Sequence, residues 1–260
     1  MSAWRARAVL LAGTVVAGGA VAGIVTSGGN GASSPSGRSL PPAPRGALSI
    51  PDPARLPREP HLTRWAPLRR SVTARTTPAG ARVTRLSVRT PEGTPHPLPV
   101  LGRRRDSRGR IWLRVRLPVL PNGTAGWVPR RAVGAYELVR HRLVIDLDAL
   151  RATLLLRGRP VFRAAIGVGQ YRWPTPRGEF LVRNRLVRFR SARYGPVAFG
   201  TSARSATLTY WPAGGFVGIH GTHQPELLPG RVSHGCIRMR NKDILRLARL
   251  MPVGTPVTIR

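Results

Sequence analysis

The chain has 260 residues, 42% of them hydrophobic, which is enough apolar material for a core and excludes wholesale disorder. Its formal net charge is +33, carried almost wholly by arginine, with Lys242 the only lysine. Codon bias in a GC-rich genome is one source of this arginine, but a surface so charged attracts polyanions such as nucleic acid, anionic lipid or acidic wall polymers. One cysteine, Cys236, excludes an internal disulfide and leaves a lone thiol to be a buried small residue, a spare or a nucleophile.

At the N-terminus, Arg5 and Arg7 precede an apolar run from Ala8 to Thr26. Positive charge followed by apolar residues is the pattern of export, so residues 1–27 read as a cleaved signal peptide or an uncleaved membrane anchor. The positive-inside rule keeps the two arginines in the cytoplasm and exports the rest. That expectation places the protein outside the membrane, touching it only through the N-terminal segment, and removes nucleic acid from the partner list. Residues 28–67 are rich first in Gly and Ser, then in Pro, and have no hydrophobic periodicity, so they read as a linker in which His61 is solvated.

Between residues 68 and 135 short β-type runs alternate with turn signals. VTART leads to Pro78-Ala79-Gly80, ARVTRLSVRT leads to Pro91-Glu92-Gly93, and LPVLG runs to the RDSRGR hairpin turn. In IWLRVRL, alternation puts Ile111, Leu113, Val115 and Leu117 on one face and Trp112, Arg114 and Arg116 on the other. Asn122-Gly123 suits a type I′ turn within a longer loop. With Trp112, the PNG turn and Gly126-Trp127-Val128, this segment resembles bacterial SH3-like domains. The resemblance implies a small β-barrel that binds cell-wall peptide or acts as a spacer. Trp112 and Trp127 are then either partial core or an aromatic groove, and the arginine cluster from Arg103 is either a solvated loop or a site for acidic wall polymer. His96 is expected to be structural or exposed.

From residue 138 to 260 the β-signal strengthens. HRLVIDLDAL is followed by two apolar runs around Arg157-Gly158-Arg159, which read as a hairpin, then by TPRGEF, LVRNRLVRF, VAFGTS, a bend at Tyr210-Trp211-Pro212 and FVGIHGT. His141 is expected to be structural or exposed. One helix is predicted, with Asn241 as N-cap, Ile244, Leu247, Ala248 and Met251 on one face, and Pro252 as its stop. PVGTPVTIR closes as a strand. The fold class is therefore mostly β with one short helix in the C-terminal half.

The stretch Phe216–Met239 gathers Cys236, His220, His223 and His234 among glycines, with Arg238 two places after the thiol. A thiol is mostly protonated at neutral pH and attacks well only as the thiolate, so it needs a base or a positive charge nearby. His220, ending the apolar FVGI run, is the candidate base. Gly235 frees the backbone to turn, so amides near His234, Gly235 and Cys236 can face a developing oxyanion. Arg238 can hold a substrate carboxylate as a fork, with Ser233 as a second candidate contact and His223 as a solvated loop residue.

TPRGEF, His220-Gly221-Thr222, Ser233-His234-Gly235-Cys236 and Arg238, followed by a short helix and a closing strand, resemble the L,D-transpeptidase catalytic domain of the YkuD type. That resemblance implies Cys236 as nucleophile and His220 as general base and acid, the base oriented by the Gly221 carbonyl rather than by an Asp. His234 and Gly235 support the site. It further implies a peptidoglycan stem tetrapeptide as donor, release of its terminal D-alanine, and a 3→3 crosslink to a neighbouring stem. Hydrolysis by the same site, or attachment of a protein to the wall, are the alternatives. No cofactor or metal is called for, and a monomer is the expectation.

The rival chemistries read less well. Zinc bound by His220, His223, His234 and Cys236 would pair His-x2-His with His-x-Cys, an uncommon set that leaves the glycines unexplained. Papain-related wall peptidases place Cys before His, and sortases separate His from Cys much further. A wall-binding protein with a decayed catalytic domain would have lost the nucleophile or the base, and both are present.

Overall fold

The computed structural model describes residues 61–187, 192–208 and 215–260. The expected signal or anchor, the linker up to residue 60 and the Tyr210-Trp211-Pro212 bend lie outside the described residues. Among the described residues no helix is long and apolar enough to cross a membrane.

Seven strands come first: β1 (Thr63–Pro67), β2 (Val72–Arg75), β3 (Arg82–Leu86), β4 (Pro97–Arg105), β5 (Ile111–Arg116), β6 (Ala125–Pro129) and β7 (Glu137–Val139). They form one sheet in the order β3-β2-β6-β5-β4-β1-β7, and each pairing is antiparallel. Alternate residues meet on the inner face, where Ala66, Leu68, Ala74, Leu98, Leu113, Val115 and Val128 form a buried cluster. The fold starts earlier than the linker boundary at residue 67 suggests, because Thr63–Pro67 pairs with β4 on one side and β7 on the other.

Ile111 ends its strand 38% exposed, Leu113 and Val115 on the same face are fully buried, and Trp112, on the opposite face, is buried to 7%. The reason is Asp106. It accepts hydrogen bonds from the Trp112 indole (3.0 Å) and from the amides of Arg108 (3.0 Å) and Arg110 (2.9 Å), folding the β4–β5 turn over the ring. Trp112 is thus core rather than one wall of an open groove, and Trp127 is half-buried. Asn122 does not adopt the positive φ that a type I′ turn requires. His96 is buried, its Nδ1 3.0 Å from the Ser87 carbonyl, a structural residue as expected.

The second sheet contains β8 (His141–Asp146), β9 (Arg151–Leu156), β10 (Arg159–Ala165), β11 (Gly167–Gly169), β12 (Gly178–Val187), β13 (Val197–Arg204), β14 (Phe216–His220), β15 (Gly230–Ser233), β16 (Ile237–Arg238) and β17 (Pro256–Ile259). Their order is β10-β9-β8-β17-β12-β13-β14-β16-β11-β15. The pairs β8–β17, β14–β16 and β11–β15 are parallel. The single α-helix among the described residues, α1 (Asn241–Leu250), buries Ile244, Leu247 and Ala248, the predicted face, in a core that includes Phe180, Phe199, Ile219, Ile237 and Met251.

Arg240, rather than Asn241, occupies the N-cap position of α1. Asn241 is the first helical residue, and its Oδ1 accepts a hydrogen bond from the Thr222 amide (3.0 Å), outside the helix. At the other end, Arg185 donates to the Ala248 carbonyl (2.9 Å), placing a cation where the helix dipole is negative. Both sheets belong to one compact unit.

Candidate active site

The site lies where β14, β16, β11 and β15 meet. β14 carries His220 at its end, and the parallel pairing of β14 with β16 sets Ile219 beside Ile237 and His220 beside Arg238. Cys236 immediately precedes β16, so the same register brings the thiol next to the histidine strand. The Gly218 amide donates to Cys236 Sγ (3.4 Å), and Gly218 borders both groups: a Cβ there would stand at an ordinary contact distance of 3.8 Å from Sγ and from His220 Cδ2.

His220 is 4% exposed, and its Nδ1 is 2.6 Å from the Gly221 carbonyl oxygen. A carbonyl only accepts, so Nδ1 carries the proton and Nε2 presents a lone pair. Burial pushes the His220 pKa down to about 4, with the Arg238 charge acting in the same direction and the Gly221 bond opposing it. The edge of the Tyr194 ring meets the imidazole at 4.8 Å between centroids. Burial raises the Cys236 pKa, against smaller downward pulls from the Gly218 amide and Arg238. The resting pair is therefore a neutral imidazole beside a protonated thiol.

The Ser233–Cys236 turn is clamped from several directions. Ser233 is buried, donates to the Cys236 carbonyl (2.6 Å) and accepts from the Gly235 amide (3.1 Å). It lines the cavity at Cys236, and its hydroxyl is engaged on both sides inside the turn. The Gly235 amide, expected among the oxyanion donors, is engaged by the same hydroxyl. Gly235 has a φ of 110°, a conformation that a side chain would strain.

Thr175, from the TPRGEF segment, accepts from the Gly169 amide (2.8 Å) and donates to the Gly235 carbonyl (2.8 Å). The Gln170 amide adds a bond to the Ser233 carbonyl (2.9 Å). His234 is exposed, with its ring 4.1 Å from that of Trp173, and so supports the rim rather than an inner layer. His223 is exposed, as expected.

The role of Thr175 within TPRGEF, and the bond from the Gly218 amide to Sγ, had no visible sign in the sequence. Thr175→Val keeps the shape but leaves the Gly235 carbonyl and the Gly169 amide without their partner. The expected cost is about 1–3 kcal/mol of stability, with slower reaction of Cys236, checked by thermal unfolding and by intact mass after incubation with a substrate.

A cavity of about 310 Å³ opens over these groups, lined by Cys236, His220, His234, Arg238, Phe216 and Tyr194 among others. Among the described residues its lining includes two arginines, Arg193 and Arg238, and no acidic side chain. Arg238 Nε is buried without a hydrogen-bond partner among the described residues. Among the described residues no group of three or more His, Cys, Asp or Glu is placed to hold a metal ion. The arrangement suits attack by sulfur on an electrophilic carbon next to an anionic group.

The YkuD family, described as the L,D-transpeptidase catalytic domain, matches residues 140–259. A protein of Bacillus licheniformis named putative L,D-transpeptidase YkuD is 37% identical over 123 residues, spanning 47% of this chain and 67% of that protein. Its Bacillus subtilis namesake is 36% identical over 121 residues, spanning 46% of this chain and 66% of that protein. The match thus covers about two thirds of the length of these relatives. The solved structure of an L,D-transpeptidase from Mycobacterium smegmatis is 16% identical and aligns over 58% of this chain and 90% of that one, with a TM-score of 0.38. With the YkuD match over residues 140–259 and the B. licheniformis relative covered over two thirds of its length, this chain belongs to the L,D-transpeptidase family.

Proposed function

We propose that the protein forms 3→3 crosslinks between peptidoglycan stem peptides through an acyl-enzyme on Cys236. The observation that carries this reading is the placement of Cys236 Sγ and His220 together beside Gly218, both lining a cavity with no acidic side chain among the described residues. Sγ attacks the carbonyl carbon of the third residue of a tetrapeptide stem as His220 Nε2 takes the thiol proton. The Cys236 amide, next in the chain after the engaged Gly235 amide, faces the oxyanion. Collapse breaks the carbon–nitrogen bond, and the Nε2 proton passes to the departing D-alanine amine. An acceptor side-chain amine then attacks the thioester, gives its proton to Nε2 and releases the sulfur, which is reprotonated. Arg238 holds the donor carboxylate through a fork of charge-assisted hydrogen bonds.

The residues N-terminal to the catalytic domain complete the proposal. The first sheet is read as an SH3-like barrel, the apolar N-terminal run as an export signal or anchor, and the arginine-rich surface as a partner for acidic wall polymers. A monomer working at the wall, without a cofactor, is the reading that follows.

The neutral resting pair predicts a particular pH response. Acylation should be flat across neutral pH and fall about tenfold per unit below pH 4, where His220 protonates. Alkylation of Cys236 by iodoacetamide needs preformed thiolate, so it should be slow at pH 7 and rise steeply in alkali. A thiolate–imidazolium pair would instead be alkylated rapidly near pH 6. Stability has its own sign. The folded pKa of His220 lies below its ordinary value of 6.5, so the unfolded chain binds more protons in between. The contribution of neutral His220 is full above that value and is lost as pH falls towards 4. Thermal unfolding from pH 7 to 4 measures it.

A further inference from the structure

The deepest charge in the second sheet is not at the thiol. Arg183, on β12, is 1% exposed. Its Nε donates to the Thr201 carbonyl (2.8 Å), and its Nη2 donates to Glu92 Oε1 (2.8 Å). Among the described residues its Nη1 is buried without a hydrogen-bond partner. The guanidinium carbon stands 3.7 Å from the centre of the Phe216 ring, and Phe216 lines the cavity that holds Cys236 and His220.

Glu92 comes from the other sheet. It sits in a tight turn where the Thr90 amide donates to the Thr94 carbonyl (2.8 Å) and the Gly93 amide to the Thr90 carbonyl (2.9 Å). Its second oxygen accepts from Asn184 Nδ2 (3.0 Å), which also reaches Thr94 Oγ1 (3.2 Å). Burial alone would raise the Glu92 pKa, but Arg183, Thr90 and Asn184 outweigh it and hold the carboxyl below its ordinary range, so it is ionised.

A second tie runs to the same wall. Asn122 donates to the Arg204 carbonyl (2.8 Å) and accepts from the Arg204 amide (3.1 Å), acting as one more rung on β13. Arg204 lies opposite Phe216 in the β13–β14 register, and its guanidinium carbon is 5.1 Å from the ring centre. Phe216 is therefore contacted by two cationic groups, each belonging to a strand that the first sheet grips.

We infer that Glu92 is a positioning residue for the substrate cavity. From the first sheet it neutralises Arg183, and Arg183 supports the Phe216 wall beside Cys236. A cation over an aromatic face is attractive, but a buried one stays in place only with a counterion. The first sheet thus completes the cavity of the second, beyond any role as a wall-binding module or spacer. The inference rests on the reading that this cavity seats the donor stem.

The test compares the full chain with its Glu92→Gln and Glu92→Gln/Arg183→Met forms, using a disaccharide-tetrapeptide donor well below the unfolding temperature. Glu92→Gln should raise the KM for acylation about tenfold, with the maximal rate and the iodoacetamide alkylation of Cys236 within about twofold of the parent. The double variant removes the charge together with its counterion and packs an unbranched side chain under the ring, so KM should return towards the parent value. A parent-like KM in Glu92→Gln, with only a lower unfolding temperature, would reduce Glu92 to structural glue and overturn the inference. So would a double variant as impaired as the single one. If the parent is not acylated by this donor, the transpeptidase reading fails, and the inference is judged by the NMR signals of ¹³C-labelled phenylalanine rings. The Phe216 signals must shift in Glu92→Gln and return in the double variant, and unchanged signals would overturn it.

Discussion

Replacing His220 with glutamine is expected to slow acylation of Cys236 by about 10²–10⁴-fold, the usual range for loss of a positioned base. Glutamine can still donate to the Gly221 carbonyl as Nδ1 does, so the turn keeps its bond, but its amide offers no basic nitrogen to the thiol. The loss should be large because the thiol rests protonated: burial outweighs the Gly218 amide and Arg238, so little thiolate exists without a base. Alkylation in strong alkali, where hydroxide makes the thiolate, should be nearly the same in both forms. Rapid-quench acylation followed by intact mass, beside an alkylation time course, separates the two steps. An acylation rate within a few fold of the parent would remove His220 from the base role.

Cys236→Ala should abolish the covalent intermediate at every pH, because Cys236 is the only cysteine in the chain. Donor binding should persist, since Arg238 and Phe216 line the cavity independently of Sγ. Calorimetric titration of the variant with the tetrapeptide donor checks the second half. Any acyl adduct on the variant would show that sulfur is not the nucleophile. Loss of donor binding together with loss of reaction would instead mean that the substitution disturbs the turn that Ser233 and Thr175 hold.

Much of this was readable from the chain because the informative residues lie close together in sequence. FVGIHGT and SHGCIRM place base and thiol on neighbouring strands, and one parallel pairing of β14 with β16 completes the site. The helix face was equally legible, since Ile244, Leu247 and Ala248 follow its period.

What escaped reading depends on partners distant in sequence. The two hydrogen bonds that hold the Ser233 hydroxyl inside the turn have no visible partners until the turn is folded. Asn241 looked like an N-cap because its bond to the Thr222 amide spans 19 residues. Trp112 shares a face with Arg114 and Arg116, and the fold of the Asp106 turn buries it. Glu92 was read as a turn residue, and nothing local announces a partner 91 positions away.

The physical logic of the site is economy of charge. The His220 ring is held by a backbone carbonyl rather than a carboxylate, and among the described residues no acidic side chain lines the cavity. Arg238 can then serve the substrate carboxylate while its charge disfavours protonation of His220.

The central claim is that Cys236 carries stem peptides from donor to acceptor. Its most direct test is mass spectrometry of a purified disaccharide-tetrapeptide after incubation with the protein, beside the Cys236→Ala form. The account predicts a crosslinked dimer lacking one D-alanine, formed by the parent and absent with the variant. Tripeptide without dimer would keep the acyl-enzyme but assign its resolution to water, against the crosslinking role. A donor left unchanged by the parent protein would contradict the account outright.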